Sequence, residues 1–393
     1  MIDSDGLIEF ARALVRVPSV NQPEAGRSEA PAAALVAERM RSLGWSPLIE
    51  DAAPGRPNVI AVVDGGLPGP TLMFEGHTDV VTEGDPDAWS YDPFGAEVID
   101  GRLYGRGAAD MKAGVAAMVY AAAALVAAGP FPGRLLLAAL ADEEGLMLGA
   151  KDFVRRGHAS GVAGAIVCEP EGGEVCIAQK GAIRVRVDVR GRMAHGAMPD
   201  QGRNPIPPLA ELVARCRGLE SGLQAQAGEH PLLGLPYVTP TVLQAGSPGQ
   251  LNVIPGEGWL GLDIRTTPAV DHAELVARLR AMCAQHLTLT LIDDRPPTET
   301  PADHPLVHAV VEAHRRVYGA TPLLGGVPGT TDGTILQRDA GIPIVTYGPG
   351  EKWIAHQVDE YVELDDMVRS AEVYAEAARL FFSVGIASSS VRV

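Results

Sequence analysis

The sequence predicts an α/β protein interrupted by an inserted α+β domain, and three observations predict it. Over the first 178 residues, short apolar runs alternate with segments of helical period. Between about 179 and 297 the pattern changes to strand, helix, strand, strand, helix, strand, the split βαβ order of a ferredoxin-like layer. After 297 the α/β alternation resumes. The expected organisation is one domain in two pieces, 1–178 and 298–393, around an insertion at 179–297.

The first two elements read as helices. Leu7, Phe10, Ala11 and Leu14 share a face across 3–17. Ala34, Leu35, Met40 and Leu43 do so across 29–43, with Gly44 placed to stop the helix. NVIAVV (58–63) reads as a strand, GGLPGP as a turn, and 71–76 as the next strand. Its continuation, LMFEGHTD, brings Glu75, His77 and Asp79 to the strand exit. In open α/β sheets, chemistry gathers outside the carboxyl ends of the strands. A polar loop over 82–101 leads to RLYGRGAAD, which lacks the third glycine of a dinucleotide fingerprint. Asp110 stands just before an alanine-rich helix, either as a helix-start carboxylate or as a functional one. That apolar tract, 114–129, is shorter than the ~20 residues a membrane span needs and reads as a buried helix.

The next apolar run, 134–141, exits into Asp142, Glu143 and Glu144. Three adjacent acids repel one another unless something positive sits among them. The plainer alternative is a solvated loop capping a helix near 148–155. A third buried strand, 164–168, leads to Glu169 and Pro170, whose ring fixes the chain direction. In the insertion, IRVRVDV (183–189) alternates like a half-exposed strand. A helix (208–219), strands (239–245 and 258–265), a helix (271–286) and a strand (287–292) follow. Beyond it come a helix (304–318), a GTTDG turn opening a short helix (329–339), a buried strand (343–347), the loop GPGEKWIAHQVDEYV, and a last helix (365–382).

Bulk composition narrows the function. With 393 residues, 46% hydrophobic and 21% charged, the chain can bury a large core. A net charge of −17 argues against nucleic-acid partners. The acidic N-terminus carries no signal-peptide pattern, and no segment reads as a membrane span. The four cysteines, Cys168, Cys176, Cys216 and Cys283, form no Cys-x-x-Cys and read as reduced, buried thiols of a cytoplasmic protein. Neither a Gly-x-Ser-x-Gly elbow nor a His-Glu-x-x-His helix is present.

The collected exits are His77, Asp79, Asp110, Glu143, Glu144, Glu169 and His356. Imidazole and carboxylate without thiolate suit zinc, and also manganese or cobalt. Five ligands from among these seven side chains would be too many for one tetrahedral ion and the right number for two ions that share a carboxylate, held ~3.5–4 Å apart as in two-metal hydrolases.

GHTDVV, GRLYGRGAADMKAG, ADEEG, CEP, RMAHGAMPDQGRNPI, LNVIPGEG, DIR, GTTDG and AHQVDEYV occur in that order. Together they resemble the peptidase M20 family, which includes acetylornithine deacetylase, succinyl-diaminopimelate desuccinylase, aminoacylase and carboxypeptidase G. The resemblance implies a mixed-sheet catalytic domain with an inserted ferredoxin-like lid and dimerisation domain, and a homodimer formed through it. It implies two divalent ions, zinc first among them: His77 and Glu169 on one, Glu144 and His356 on the other, Asp110 on both. Asp79 would steady the His77 ring. Glu143 would take a proton from the attacking water and return it to the leaving amine. The Asp110–Met111 peptide would be cis. His195 would reach the neighbouring protomer's site and stabilise an oxyanion. Asn252 and Arg265 would hold a substrate carboxylate, and Thr331 and Gly350 would line the pocket.

The chain departs from the family pattern twice, at Ala113-Gly114, where a glycine pair is usual, and at Gly196-Ala197, where a small-hydroxyl pair is usual. The expected activity is amide hydrolysis in a small carboxylate-bearing substrate, an N-acyl amino acid or short peptide. The alternatives are hydrolysis of another C–N bond, such as arylamine deamination, and a non-catalytic dimeric binding protein.

Overall fold

The computed structural model describes residues 1–283 and 286–389. The chain forms two compact units, one of Met1–Ile177, Glu299–Gly326 and Thr331–Val393, the other of Ala178–Thr298 and Val327–Thr330.

The larger unit is built on a mixed sheet. Its strand order runs Leu48–Ala53, Arg56–Asp64, Phe131–Leu140, Gly66–His77, Val162–Val167, Ile344–Thr346, Val175–Gln179. Gly66–His77 lies parallel to both Phe131–Leu140 and Val162–Val167, and Ile344–Thr346 lies parallel to Val162–Val167. Four strands therefore end at the same edge. Helices cover both faces, which is why these strands read as unbroken apolar runs rather than alternating ones. On one face, Phe153, Ile335 and Leu336 of helices Leu148–Arg155 and Gly333–Ala340 join Met73, Leu136 and Leu140 in one cluster. On the other, helix Leu364–Ser389 brings Tyr374 to 5.4 Å from the Phe74 ring.

Two expectations change. GGLPGP is not a free turn: the chain turns at Gly66 (φ +80°), and Gly66–His77 is one strand with a register shift between Leu67 and Thr71. Gly69 permits it, since a Cβ there would meet the Gly133 nitrogen at 2.6 Å. The alanine-rich tract forms helix Ala113–Ala127; together with the kinked turn Ala108–Lys112 ahead of it, non-helical at Asp110 and Met111, it spans 20 residues long and apolar enough to cross a membrane by length and composition, and most of it is buried inside the protein. Strand Leu48–Ala53 carries no clean alternation and escapes the sequence reading.

The smaller unit has a four-stranded antiparallel sheet ordered Tyr237–Ala245, Glu257–Thr266, Gly181–Arg190, Leu287–Arg295. In chain order that is second, third, first, fourth, the ferredoxin-like arrangement. Helices Ile206–Ala227 and His272–Met282 bury Leu209, Leu212, Leu275 and Leu279 against Val185, Val187 and Leu260. The helix expected over 271–286 ends at Met282; its residues 284 and 285 lie outside the described residues, as do the last four of the serine-rich end.

Candidate metal centre

The four parallel strands deliver their exits to one edge of the larger unit. His77 closes its strand; Glu143 and Glu144 follow Leu140; Glu169 follows Val167; and the loop beyond Thr346 carries His356. Asp110 arrives from the segment ahead of helix Ala113–Ala127, at non-helical φ −113° and ψ 96°, followed by a cis peptide to Met111. It does not cap that helix, whose N-cap residue is Lys112. Its carboxylate faces the two imidazoles instead.

The geometry falls into two halves. His77 Nε2 lies 3.0 Å from Asp110 Oδ1 and 3.4 Å from Glu169 Oε1. His356 Nε2 lies 3.2 Å from Asp110 Oδ2 and 2.9 Å from Glu144 Oε1. Ligand atoms of His77, Asp110 and Glu144 all fall within 4.8 Å of one another, as do those of His77, Glu143 and Glu169. The structure thus brings together His77, Asp110, Glu143, Glu144, Glu169 and His356.

Charge in this cluster is unbalanced. Burial first, then neighbouring acids, push the Glu143 carboxyl well above its ordinary value, against a partial offset from His77. Burial and the Asp110 charge push Glu169 up to about 8, and burial raises Glu144 as well. His77 is desolvated, which opposes its charging, yet Glu169, Asp110 and Asp79 hold it well above the usual imidazole range. Asp110 and Glu144 hold His356 up at about 11. Asp110, although buried, is kept far below the carboxylate range by His356 and His77. The acids outnumber the imidazoles, and three of them, Glu143, Glu144 and Glu169, lean toward neutrality for want of positive charge. Divalent cations would supply it, and the nitrogen and oxygen donors fit zinc, cobalt or manganese.

Asp79 is fully buried. His77 Nδ1 is 2.9 Å from the Asp79 main-chain carbonyl, and the Asp79 carboxylate stands 3.6 Å away. That carboxylate accepts the backbone N–H groups of Glu143 and Glu144, each at 3.1 Å, and the Asn21 amide at 2.8 Å. It braces the turn that carries two site acids.

The three adjacent acids also divide. Asp142, at φ +68°, accepts the N–H groups of Leu146 (3.0 Å) and Leu148 (3.3 Å) ahead of helix Leu148–Arg155. Its positive partner is Arg56, 2.8 Å away, which also pairs with buried Glu29 at 2.8 Å. Asp142 is therefore the loop-capping acid, while Glu143 and Glu144 face the centre. Asn21, Arg56 and Glu29 are invisible to a motif reading, because each acts from a distant segment with no local pattern.

Of the Ala113-Gly114 pair only the second position requires glycine: a Cβ at Gly114 would sit 2.0 Å from the Cys168 carbonyl, one residue before Glu169. Thr331 is buried, and its hydroxyl accepts the Gly333 N–H at 3.1 Å. Gly350 N–H donates to Asp366 at 2.7 Å, and its carbonyl accepts from Gly172 at 2.9 Å. All four cysteines are free, three buried and Cys283 half-buried.

In the smaller unit, His195 is exposed and its Nδ1 accepts the Ala197 N–H at 3.1 Å, which leaves Nε2 as the protonated nitrogen. Asn252 lies on the facing chain, its carbonyl accepting the Gly196 N–H at 2.7 Å. Arg265 is occupied by Asp263, 2.6 Å from Nε and 3.2 Å from Nη2.

Residues 73–380 match the model of the family described as Peptidase family M20/M25/M40. The chain is 33% identical to a succinyl-diaminopimelate desuccinylase of Methylobacterium radiotolerans, across 96% of this chain and 97% of that one. Among solved structures it resembles an M20 family metallo-carboxypeptidase from Sulfolobus solfataricus, with TM-score 0.84 and 20% identity over 97% of this chain and 99% of the other. It also resembles a dinuclear metal-binding M20 family peptidase of Bacillus subtilis, with TM-score 0.69 and 19% identity over 97% and 98%.

Proposed function

The chain belongs to peptidase family M20/M25/M40, and on that premise we propose that it hydrolyses an amide bond in a small carboxylate-bearing substrate, an N-acyl amino acid or short peptide. The posture of Asp110 carries the reading: one carboxylate oxygen faces His77 and the other faces His356. Each imidazole has its own second carboxylate, Glu169 or Glu144. Such a set would hold two divalent cations, His77 and Glu169 on one, Glu144 and His356 on the other, with Asp110 common to both. Zinc is the proposed metal. When bound, the pair would acidify a water and polarise the scissile carbonyl.

The chain's own residues supply the remainder. Glu143 is buried, on a turn whose amides Asp79 holds. We assign it the proton of the attacking water, taken on a carboxylate oxygen and delivered to the departing amine nitrogen. His195, with Nε2–H outward, would donate to the developing oxyanion. Asn252 and Arg265 would receive the substrate carboxylate, Arg265 sharing its fork with Asp263, and Thr331 and Gly350 would border the pocket. The near full-length likeness to a desuccinylase supports an N-acyl amino acid over an arylamine.

We further propose a homodimer through an inserted lid at 179–297, with the catalytic domain made of 1–178 and 298–393. The exposed strand Tyr237–Ala245, with Val242 and Leu243 in solvent, supports it. The free thiols support a cytoplasmic setting.

The test is reconstitution of metal-free protein with zinc, cobalt or manganese, assayed on N-succinyl and other N-acyl amino acids, dipeptides and aromatic amines. Hydrolysis of an acyl amino acid or dipeptide that is lost in Glu143→Ala, with cation content unchanged, is the expected result. A Glu143→Ala protein that turns over normally refutes the mechanism.

A further inference from the structure

His356 is unlike the other site residues. Its side chain is 51% exposed, and its backbone sits at φ +65°, a region few non-glycine residues enter. Packing does not hold it, so its place opposite Asp110 depends on what grips the main chain.

Arg106 does so. Its Nη2 donates to the His356 carbonyl at 3.2 Å, its Nη1 lies 2.5 Å from Glu360 Oε2, and its Nε donates to the Thr82 carbonyl at 3.2 Å. The guanidinium carbon stands 5.1 Å from the Trp89 ring centroid. Glu360 completes the link: its other oxygen, Oε1, accepts the N–H groups of Ala109 at 2.9 Å and Asp110 at 3.0 Å. Both side chains are buried, Arg106 at 3% exposure and Glu360 at 0%. One ion pair therefore runs from the carbonyl of His356 to the amide of Asp110. The loop is also tied at its flanks, by Lys352 to Glu171 (2.9 Å) and by Asp359 to Ser90 (2.7 Å), and its end pairs with the stretch ahead of Asp110, the Gly105 N–H donating to the Glu360 carbonyl at 2.9 Å, but none of these ties reaches the His356 carbonyl or the Asp110 amide.

We propose that Arg106 and Glu360 are positioning residues that set the spacing between His356 and Asp110, and so the affinity of the cation that His356, Glu144 and Asp110 would hold. The role presupposes the two-cation centre proposed above. Neither is among the proposed ligands or substrate contacts; both act through the main chain of His356 and Asp110. Arg106 spans three acceptors with a planar fork; a lysine keeps the charge but offers a single point, so it restores the pair with Glu360 without the grip on His356.

The experiment is calorimetric titration of metal-free protein with Zn²⁺, and with Co²⁺ followed by its absorption spectrum. His356→Ala identifies which binding step belongs to that half. Arg106→Gln and Arg106→Lys are expected to weaken the same step by roughly 10–100-fold, the usual cost of losing a partner behind a ligand. The other step is expected to stay within about threefold. Glu360→Gln, equal in size, is the second variant should Arg106→Gln fail to fold. Two unaltered steps, or equal weakening of both, overturn the positioning role. A wild-type protein that binds fewer than two cations overturns the two-cation reading and this inference with it.

Discussion

Replacing Asp79 by alanine isolates the brace behind the Glu143–Glu144 turn. The carboxylate is wholly buried and accepts two backbone N–H groups at 3.1 Å and the Asn21 amide at 2.8 Å. Asn21 keeps a second acceptor in Asp142, at 3.0 Å, so the uncompensated loss is the two amides. Hydrogen bonds to a charged group contribute about 1.5–3 kcal/mol each. Allowing for water that enters the vacated space, the turn should lose about 2–4 kcal/mol of local stability. At about 1.4 kcal/mol per decade, exchange of the Glu143 and Glu144 amides should accelerate roughly 30- to 1,000-fold. Hydrogen exchange followed by mass spectrometry on peptides covering 141–147, in metal-free protein, reads this directly. Asp79→Asn, which keeps one acceptor oxygen, should fall between. The His77 ring should hold its place in both variants, because its partner is the residue 79 carbonyl. Unchanged amide protection in Asp79→Ala would refute the bracing role.

Four further outcomes are expected. Glu143→Ala should lower turnover by roughly 10²–10⁴-fold while cation stoichiometry, measured by elemental analysis, is retained. Chelation should lower the unfolding temperature in calorimetry, because the buried acids lose their counter-charge; returning a cation at 100 times its dissociation constant should restore about 2.7 kcal/mol. Arg56→Ala leaves Glu29 and Asp142 buried without their cation and should cost about 3–5 kcal/mol, seen as a lowered denaturation midpoint. Asp152 is partly desolvated, but Arg156 and Arg155 hold its carboxyl below the ordinary value. Its contribution is therefore complete at neutral pH and is lost as pH falls through the range below about 4. Asp152→Asn should flatten that acid limb of the stability profile.

The strand exits are legible in the sequence because burial on both faces forces an unbroken apolar run, and a polar residue ending such a run stands out. His77, Glu143, Glu144 and Glu169 are found that way, while Asp110 and His356 need the family pattern, since neither follows a strand directly. The division of labour among Asp142, Glu143 and Glu144 is not legible. It is decided by Arg56, 86 residues from Asp142, and by backbone angles that composition does not encode. The same holds for the Asp79 carboxylate, whose partners are main-chain amides present at every non-proline position. Arg106 and Glu360 stand inside recognised motifs, and unassigned charges within a motif were the available signal. GGLPGP misled because glycine and proline mark turns and irregular strands alike; only the approach of Gly69 to Gly133 separates them.

The inserted unit has a consequence for how the centre comes into being. His77, Asp110, Glu144 and Glu169 all precede Ala178, and His356 follows Thr330, on the far side of the insertion. The half with His77 and Glu169 can assemble from a single continuous stretch, whereas the half with His356 exists only once the C-terminal segment has docked. If two cations bind as proposed, filling of that second half would report that a discontinuous domain has closed.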